Sequence, residues 1–164
     1  MTINDVVEKA KGVILKFGDH PPFLIVEGTR DEIAIPLQDL PGRDTQERVS
    51  SLCNYGTEMA CERPVGKLQK VFLVNQAWAS KPEGGKMPTI RPSQDPHRQE
   101  VLVIVELDVP TSKQQSVAFE LTRDKAGQLT LMQPLMENGK IIKPDAVYSP
   151  LLPAFVQGYS IISK

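Results

Sequence analysis

Several features that would assign this sequence to a functional class are absent or scarce. No apolar run approaches the roughly 20 residues that a membrane-spanning helix needs, and the first residues show no basic-then-apolar leader. We therefore expect a cytoplasmic protein without a membrane partner. The chain also has no large excess of charge of either sign, since 19 Lys and Arg residues nearly balance 20 Asp and Glu residues and give a net charge of −1. Because such a chain has no overall attraction for phosphate backbones, we do not expect nucleic acid binding.

Cysteine and histidine are scarce as well. Cys53 and Cys61 lie in one predicted helix, which puts them about 12 Å apart and excludes a disulfide between them. Only His20 and His97, from distant segments, could join the cysteines as ligands of a metal ion. The spacing of Cys53 and Cys61 also matches no common zinc site. Glycine-rich phosphate-binding loops are missing too. The sequence therefore predicts no metal, no cofactor and no catalytic residue, and it predicts the cysteines as small buried side chains.

What the chain does have is enough apolar sequence for one core. Its 164 residues are 40% hydrophobic and 24% charged, values typical of a globular domain of this size. We expect a single α+β domain over residues 1–164.

The first part of the chain predicts a helix followed by a short hairpin. Apolar residues from Ile3 to Phe17 recur at spacings of three and four, after a capping box that begins at Thr2. The runs 23–26 and 33–37 are rich in residues that favour strands. Because proline cannot donate to a sheet, Pro36 places the second strand at an edge or ends it there.

Helical spacing returns between Asp44 and about Arg63. On the apolar stripe of this second helix, Gly56 and Ala60 lie four residues apart, which would let another backbone come close. One hypothesis is that this stripe forms a contact between two copies of the chain. Pro64 ends the helix.

From residue 68 to residue 132 the apolar pattern changes to a period of two. Four segments follow it, namely 67–80, 101–108, 117–121 and 129–132. Short turns between the later segments predict an antiparallel β-meander, with the N-terminal helix, the hairpin and the second helix packed on the sheet. Two of the strands begin apolar on both faces, which indicates central positions or an interface that covers one face.

A short amphipathic helix is predicted near the C-terminus. Ser149-Pro150 would begin it, since proline is tolerated at the first helical position. Leu151, Leu152, Phe155 and Val156 form its apolar side, and Gly158 is expected to end it.

The longest predicted loop spans residues 80–99 and is rich in proline and glycine. Loops of this length are usually functional or disordered, and the composition of segment 91–100 favours a defined conformation. Together with the strand before it, the loop contributes the candidate ligand-binding residues Trp78, Ser93, Asp95, His97, Arg98 and Glu100.

Three interpretations of these residues stay open. In the first, Ser93 or Asp95 caps a turn while Arg98 pairs with Glu100 or a neighbouring carboxylate. In the second, Asp95, His97, Arg98 and Glu100 converge on a small anion or a peptide carboxylate, which the planar guanidinium would bind bidentately. In the third, the segment forms a surface for self-association. Trp78 is expected either to anchor the loop by packing or to stack on a ligand.

Ala77-Trp78, followed by Pro92-Ser93, Asp95-Pro96, Arg98 and Glu100 before an apolar strand, resembles a pattern in uncharacterised proteins of bacteria and their phages. The likeness covers about a quarter of the chain. In that group an acidic residue commonly precedes Ala-Trp, whereas this sequence has Gln76. The resemblance implies a shared shape and no particular chemistry.

Two hypotheses about function follow from the sequence. The first is a non-enzymatic interaction or accessory protein that acts as a homodimer, through a face of the sheet or through the Gly56 stripe. The alternative is an enzyme or small-anion binder whose site lies between Trp78, the 91–100 loop and the turn at 27–30, near Glu27 and Arg30.

Overall fold

The computed structural model describes residues 1–42, 44–62, 64–80, 94–137, 140–141 and 149–162. In chain order its elements are α1 (Ile3–Phe17), β1 (Phe23–Gly28), β2 (Glu32–Pro36), α2 (Thr45–Glu62), β3 (Leu68–Ala79), β4 (Gln99–Asp108), β5 (Lys113–Arg123), β6 (Leu129–Pro134), β7 (Met136–Glu137), β8 (Lys140–Ile141) and α3 (Leu151–Ile162). Six strands form one antiparallel sheet in the order β2-β1-β3-β4-β5-β6. The predicted α+β class and antiparallel meander are confirmed. Within the described ranges, no helix is both long enough and apolar enough to cross a membrane.

The long strands β3 and β4 lie at the centre of the sheet and pair from Lys70↔Asp108 to Ala79↔Gln99. Their side chains alternate between two apolar clusters, one on each face. Phe72 and Leu102 belong to the cluster under α1, whereas Val71 and Val105 belong to the cluster that contains α2 and α3. The two-sided apolarity of these strands therefore reflects their central position, because helices of the same chain pack on both faces.

Helix α1 begins and ends as the sequence predicts. Thr2 and Asp5 form a reciprocal capping box, and Gly18 follows the helix with a φ of 88°, in the region that favours glycine. Val6, Ala10 and Ile14 are buried against the sheet.

Helices α2 and α3 pack closely through glycine. A Cβ atom added at Gly56 would overlap the carbonyl of Phe155, and one added at Gly158 would overlap the carbonyl of Cys53. The predicted close approach at Gly56 is confirmed, and the backbone that approaches is that of α3. The hypothesis that Gly56 forms a contact between two copies is therefore wrong, because α3 of the same chain occupies that position. The prediction that Gly158 ends α3 is wrong, because α3 continues to Ile162. Gly158 lies inside the helix, where its missing side chain lets the backbone of α2 come close.

The hairpin β1–β2 forms one edge of the sheet. Its strands pair from Phe23↔Pro36 to Glu27↔Glu32, and β2 has no second neighbour in the described sheet. The edge position predicted from Pro36 is confirmed.

The two cysteines are not bonded to each other, as their spacing predicts. Their predicted burial is wrong for Cys61, which is exposed near the end of α2, and Cys53 is half-buried. An exposed thiol on the solvent side of a helix has no packing role.

Candidate functional site

Trp78 lies one residue before the end of β3 and is partly open to solvent, with 45% of its surface exposed. It points to the same face of the sheet as Phe72, Val74 and Gln76, because alternate residues of a strand share a face. The guanidinium carbon of Arg98 lies 4.4 Å from the centre of the Trp78 ring. This distance is typical of a cation–π contact, which holds the ring and the arginine against each other.

A turn at Asp95 fixes the backbone that carries Arg98. The buried carboxylate of Asp95 accepts a hydrogen bond of 2.8 Å from the backbone N–H of His97, and the backbone N–H of Arg98 donates to the Asp95 carbonyl at 3.2 Å. The hydrogen bond from the His97 amide lowers the pKa of Asp95 from its usual range. The interpretation of Asp95 as a turn cap is confirmed. His97 has an exposed side chain, and Ser93 lies outside the described residues.

Glu100 forms a bidentate ion pair with Arg123 of β5. The Nε and Nη2 atoms of Arg123 each donate to one carboxylate oxygen of Glu100 at 2.8 Å. This contact raises the pKa of Arg123 from its usual value. Glu100 lies on the same face of the sheet as Trp78, its partner across β3 and β4, and its carboxylate is paired with Arg123 and not with Arg98. Pairing of Arg98 with another neighbouring carboxylate stays a prediction. Glu100 is thus engaged within the chain and is not available to a ligand.

Gln76 and Asp19 extend this ion pair into a network. The Gln76 amide nitrogen donates to Glu100 at 2.5 Å and to Asp19 at 3.2 Å, and its oxygen accepts from the backbone N–H of His20 at 2.8 Å. Arg123 also donates to Asp19 at 3.3 Å and to the Gly127 carbonyl at 3.0 Å. An amide at position 76 can donate and accept at once, which a carboxylate cannot do at neutral pH. The network ties the end of α1 to β3, β4 and the β5–β6 turn, so its role is structural.

The structure brings together four of the six predicted site residues, namely Trp78, Asp95, Arg98 and Glu100. It separates them from the turn at 27–30. Gly28 pairs with Leu68 at the start of β3, and Trp78 lies 10 residues further along that strand, a distance of about 33 Å. The predicted site between Trp78 and the 27–30 turn is therefore wrong, because the two lie at opposite ends of the sheet.

A second polar cluster, which sequence analysis missed, lies at that opposite end. Glu106 of β4 is 3% exposed and receives hydrogen bonds of 2.8 Å from both Lys70 and Gln115. The hydrogen bond from Lys70 to Glu106 raises the lysine pKa. The available signal was an acidic residue in register with Leu102 and Ile104, at a core position of a strand. Its partners could not be found without the strand pairing.

His20 is the buried histidine of the chain, with 7% of its surface exposed. Its Nδ1 atom lies 2.7 Å from the Pro21 carbonyl oxygen, and its ring meets Phe23 edge-on at 5.7 Å between centroids. Burial lowers the pKa of His20 below its ordinary value, and the hydrogen bond to Pro21 only partly offsets this. We therefore assign a neutral ring with the proton on Nδ1, since a carbonyl can only accept.

The stability of the protein is expected to fall as the pH drops below about 6.5, because the unfolded chain then protonates His20 more readily than the folded chain does. The loss starts near the pKa of the unfolded chain and ends once the pH has passed the lowered pKa of the folded state. Urea unfolding midpoints between about pH 7.5 and about pH 5 measure it, above the range in which carboxylates titrate.

His20→Phe should flatten this pH dependence, because it keeps an aromatic ring at the position and removes the titrating group. His97→Gln is the matched control, since it removes the other, exposed histidine. A slope that survives His20→Phe and disappears in His97→Gln would contradict the assignment.

Among the described residues, no group of three or more His, Cys, Asp and Glu side chains is arranged to hold a metal ion. Comparison of the chain with protein-family models, with curated proteins and with solved structures finds no match. The resemblance based on Ala77-Trp78 and the segment 92–100 stays a prediction.

Proposed function

We propose that the protein is a non-enzymatic interaction protein that acts in the cytoplasm as a homodimer, with Trp78 and Arg98 at the centre of its interface. One observation carries this proposal: an exposed tryptophan is held in place by a stacked arginine, 4.4 Å from its ring centre. Tryptophan and arginine are enriched among the few residues that dominate the binding energy of protein interfaces.

The exposed part of Trp78 gives the surface a substantial gain from association. A tryptophan offers up to about 250 Å² of surface, so an exposed fraction of 45% leaves roughly 100 Å² in water. Burial of that area would contribute about 2–3 kcal/mol to association. Phe17, which is 70% exposed, lies at the same end of the sheet, because the α1–β1 connection binds Gln76 through Asp19. Two large apolar side chains therefore mark one end of the molecule.

The Trp78 surface needs little rearrangement before it binds. Pairing of Trp78 with Glu100 and of Ala79 with Gln99 fixes the backbone of β3. The Asp95 turn fixes the backbone that leads to Arg98. Binding surfaces that are already ordered lose less conformational entropy on association, which favours affinity.

A second copy of the chain is the partner that this surface suits best. In a twofold dimer the same patch meets itself, so Trp78 and Arg98 of one copy would contact Arg98 and Trp78 of the other. Both contacts would place a guanidinium group against an aromatic ring, which is a favourable arrangement. A net charge of −1 also produces only weak repulsion between two copies.

A small anion is a less suitable ligand for the same residues. The carboxylate of Asp95 stays charged because its pKa is lowered, and Arg98 lies near enough to contribute to that lowering. An anion at Arg98 would therefore approach a fixed negative charge. We rank the anion-binding alternative second for this reason.

Trp78→Ala and Arg98→Ala are each expected to weaken the dimer by about tenfold or more. Sedimentation equilibrium of the full chain should give twice the monomer mass of 18.2 kDa at micromolar concentration. The two variants should move toward the monomer mass at the same concentration. Tyr55→Ala is the matched control, because Tyr55 is an aromatic side chain of α2 with 39% exposure.

The proposal is rejected if the wild-type chain stays monomeric up to the highest soluble concentration, or if Tyr55→Ala weakens the dimer as much as Trp78→Ala. A monomer that binds acetate or a peptide C-terminus, and loses this binding in Arg98→Ala, would replace the dimer by the anion-binding alternative.

A further inference from the structure

We propose that the cleft between α1 and the hairpin β1–β2 binds a small uncharged aromatic alcohol, of which phenol is the simplest example. The cleft has a volume of about 170 Å³ and lies on the face of the sheet that α1 covers. Apart from Lys9 and His20, the side chains that line it are apolar. It is separate from the Trp78 surface and does not depend on the proposed homodimer.

Small side chains create this cleft. Ala10 of α1 and Ala34 of β2 both line it, with Val13 and Phe23 around them. Ala34 is exposed, so the cleft is open to solvent on the side of the hairpin. Water in the cleft finds few hydrogen-bond partners, because Lys9 and His20 are the only polar side chains among those that line it. An apolar ligand in the cleft would make van der Waals contacts with side chains that the rest of the chain does not cover.

The volume of the cleft selects the size of the ligand. An apolar cavity of about 150 Å³ is known to accept benzene, and this cleft measures about 170 Å³. One aromatic ring with a single small substituent matches it.

The free acceptor nitrogen of His20 favours a ligand whose substituent is a hydroxyl group. Its Nδ1 atom is occupied by the Pro21 carbonyl at 2.7 Å, so Nε2 is the acceptor nitrogen of the ring. Nε2 makes no hydrogen bond within the part of the chain that the structure describes. The backbone of His20 is held by Gln76 at 2.8 Å and its ring by Phe23, so the acceptor is fixed in position. A phenolic O–H can donate to such an acceptor, whereas a hydrocarbon cannot.

Lys9 does not favour an anionic ligand, although it lines the cleft. Its ammonium group lies 3.1 Å from a carboxylate oxygen of Glu32, which neutralises its charge at the rim. A carboxylate in the apolar cleft would lose its hydration without an unpaired cation in return. This favours phenol over benzoate.

Titration of the full chain with phenol, toluene and benzoate, followed by NMR of the methyl groups and the histidine nitrogens, tests the proposal. Phenol should bind saturably and shift the signals of Val13 and of the His20 ring. Toluene should bind about fivefold or more weakly because it lacks a donor, and benzoate should bind more weakly still. His20→Phe should remove the preference for phenol over toluene.

Ala34→Leu fills the cleft from an exposed edge strand and should lower phenol affinity by about tenfold or more. Val13→Phe fills it from α1 and serves if the first variant is poorly folded by circular dichroism. Ala126→Leu, in the exposed β5–β6 turn, is the control and should bind phenol as the wild type does. Unsaturable phenol shifts, wild-type affinity in both filled variants, or tighter binding of benzoate than of phenol would overturn the proposal.

Discussion

Gly158→Ala is expected to destabilise the protein by about 3 kcal/mol, the largest effect we predict for removal or addition of a single methyl group. The new Cβ atom would overlap the carbonyl of Cys53, which belongs to the backbone of α2 and cannot rotate away. The two helices would have to separate, and the buried residues Phe155 and Tyr159 would lose part of their packing. A gain of about 1 kcal/mol from the higher helix propensity of alanine would offset only part of this cost.

Gly12→Ala is the matched control for this substitution. Gly12 lies inside α1, and a Cβ atom added there has no neighbour within 4 Å. The same change should therefore stabilise the protein by about 0.5–1 kcal/mol through helix propensity alone. Urea unfolding followed by circular dichroism measures both values. If Gly158→Ala proved neutral or stabilising, the close crossing of α2 and α3 would be wrong.

Lys70→Met is expected to destabilise the protein by about 2–3 kcal/mol, because it leaves the buried carboxylate of Glu106 without its cation. The value is at the lower end for a buried ion pair, since 27% of the Lys70 side chain is exposed and water can partly replace the ammonium group. Gln115 would still donate to Glu106 at 2.8 Å, which limits the loss further.

The double variant Lys70→Met with Glu106→Met should recover most of that stability, to within about 1 kcal/mol of the wild type, because no buried charge then remains unpaired. A double-mutant cycle by urea unfolding gives the coupling between the two side chains. Lys9→Met is the control, since the pair of Lys9 with Glu32 has 58% and 41% of its side chains exposed, and its loss should be below about 1 kcal/mol. Simple addition of the two single effects would show that Lys70 and Glu106 do not interact.

The helices and strands were largely predictable because their signals are local. The spacing from Ile3 to Phe17 and the capping box at Thr2 predicted α1 without knowledge of anything it touches. Pro36 predicted an edge strand because a missing N–H excludes a central position. The period of two in β3 predicted which side chains share a face, and the two apolar clusters follow that division.

The candidate site was predictable only in part. Asp95 was expected to cap a turn, and it does, because the hydrogen bond to His97 spans only two residues. The partner of Glu100 was not predictable: Arg123 lies 23 residues away, and only the pairing of β4 with β5 brings the two together. The turn at 27–30 was predicted at the wrong end of the sheet, because the sequences of β1 and β3 do not by themselves determine the direction and register in which the two strands pair.

The sequence by itself determined the class of fold, the positions of most helices and strands, and the face to which each strand residue points, because these depend on φ preferences and on apolar periods within short segments. Tertiary structure alone decided which side chains meet: Trp78 with Arg98, Glu100 with Arg123, and Gly158 with the backbone of α2. These contacts join residues that are distant in the chain, so they depend on strand register and helix crossing, which many different local sequences allow.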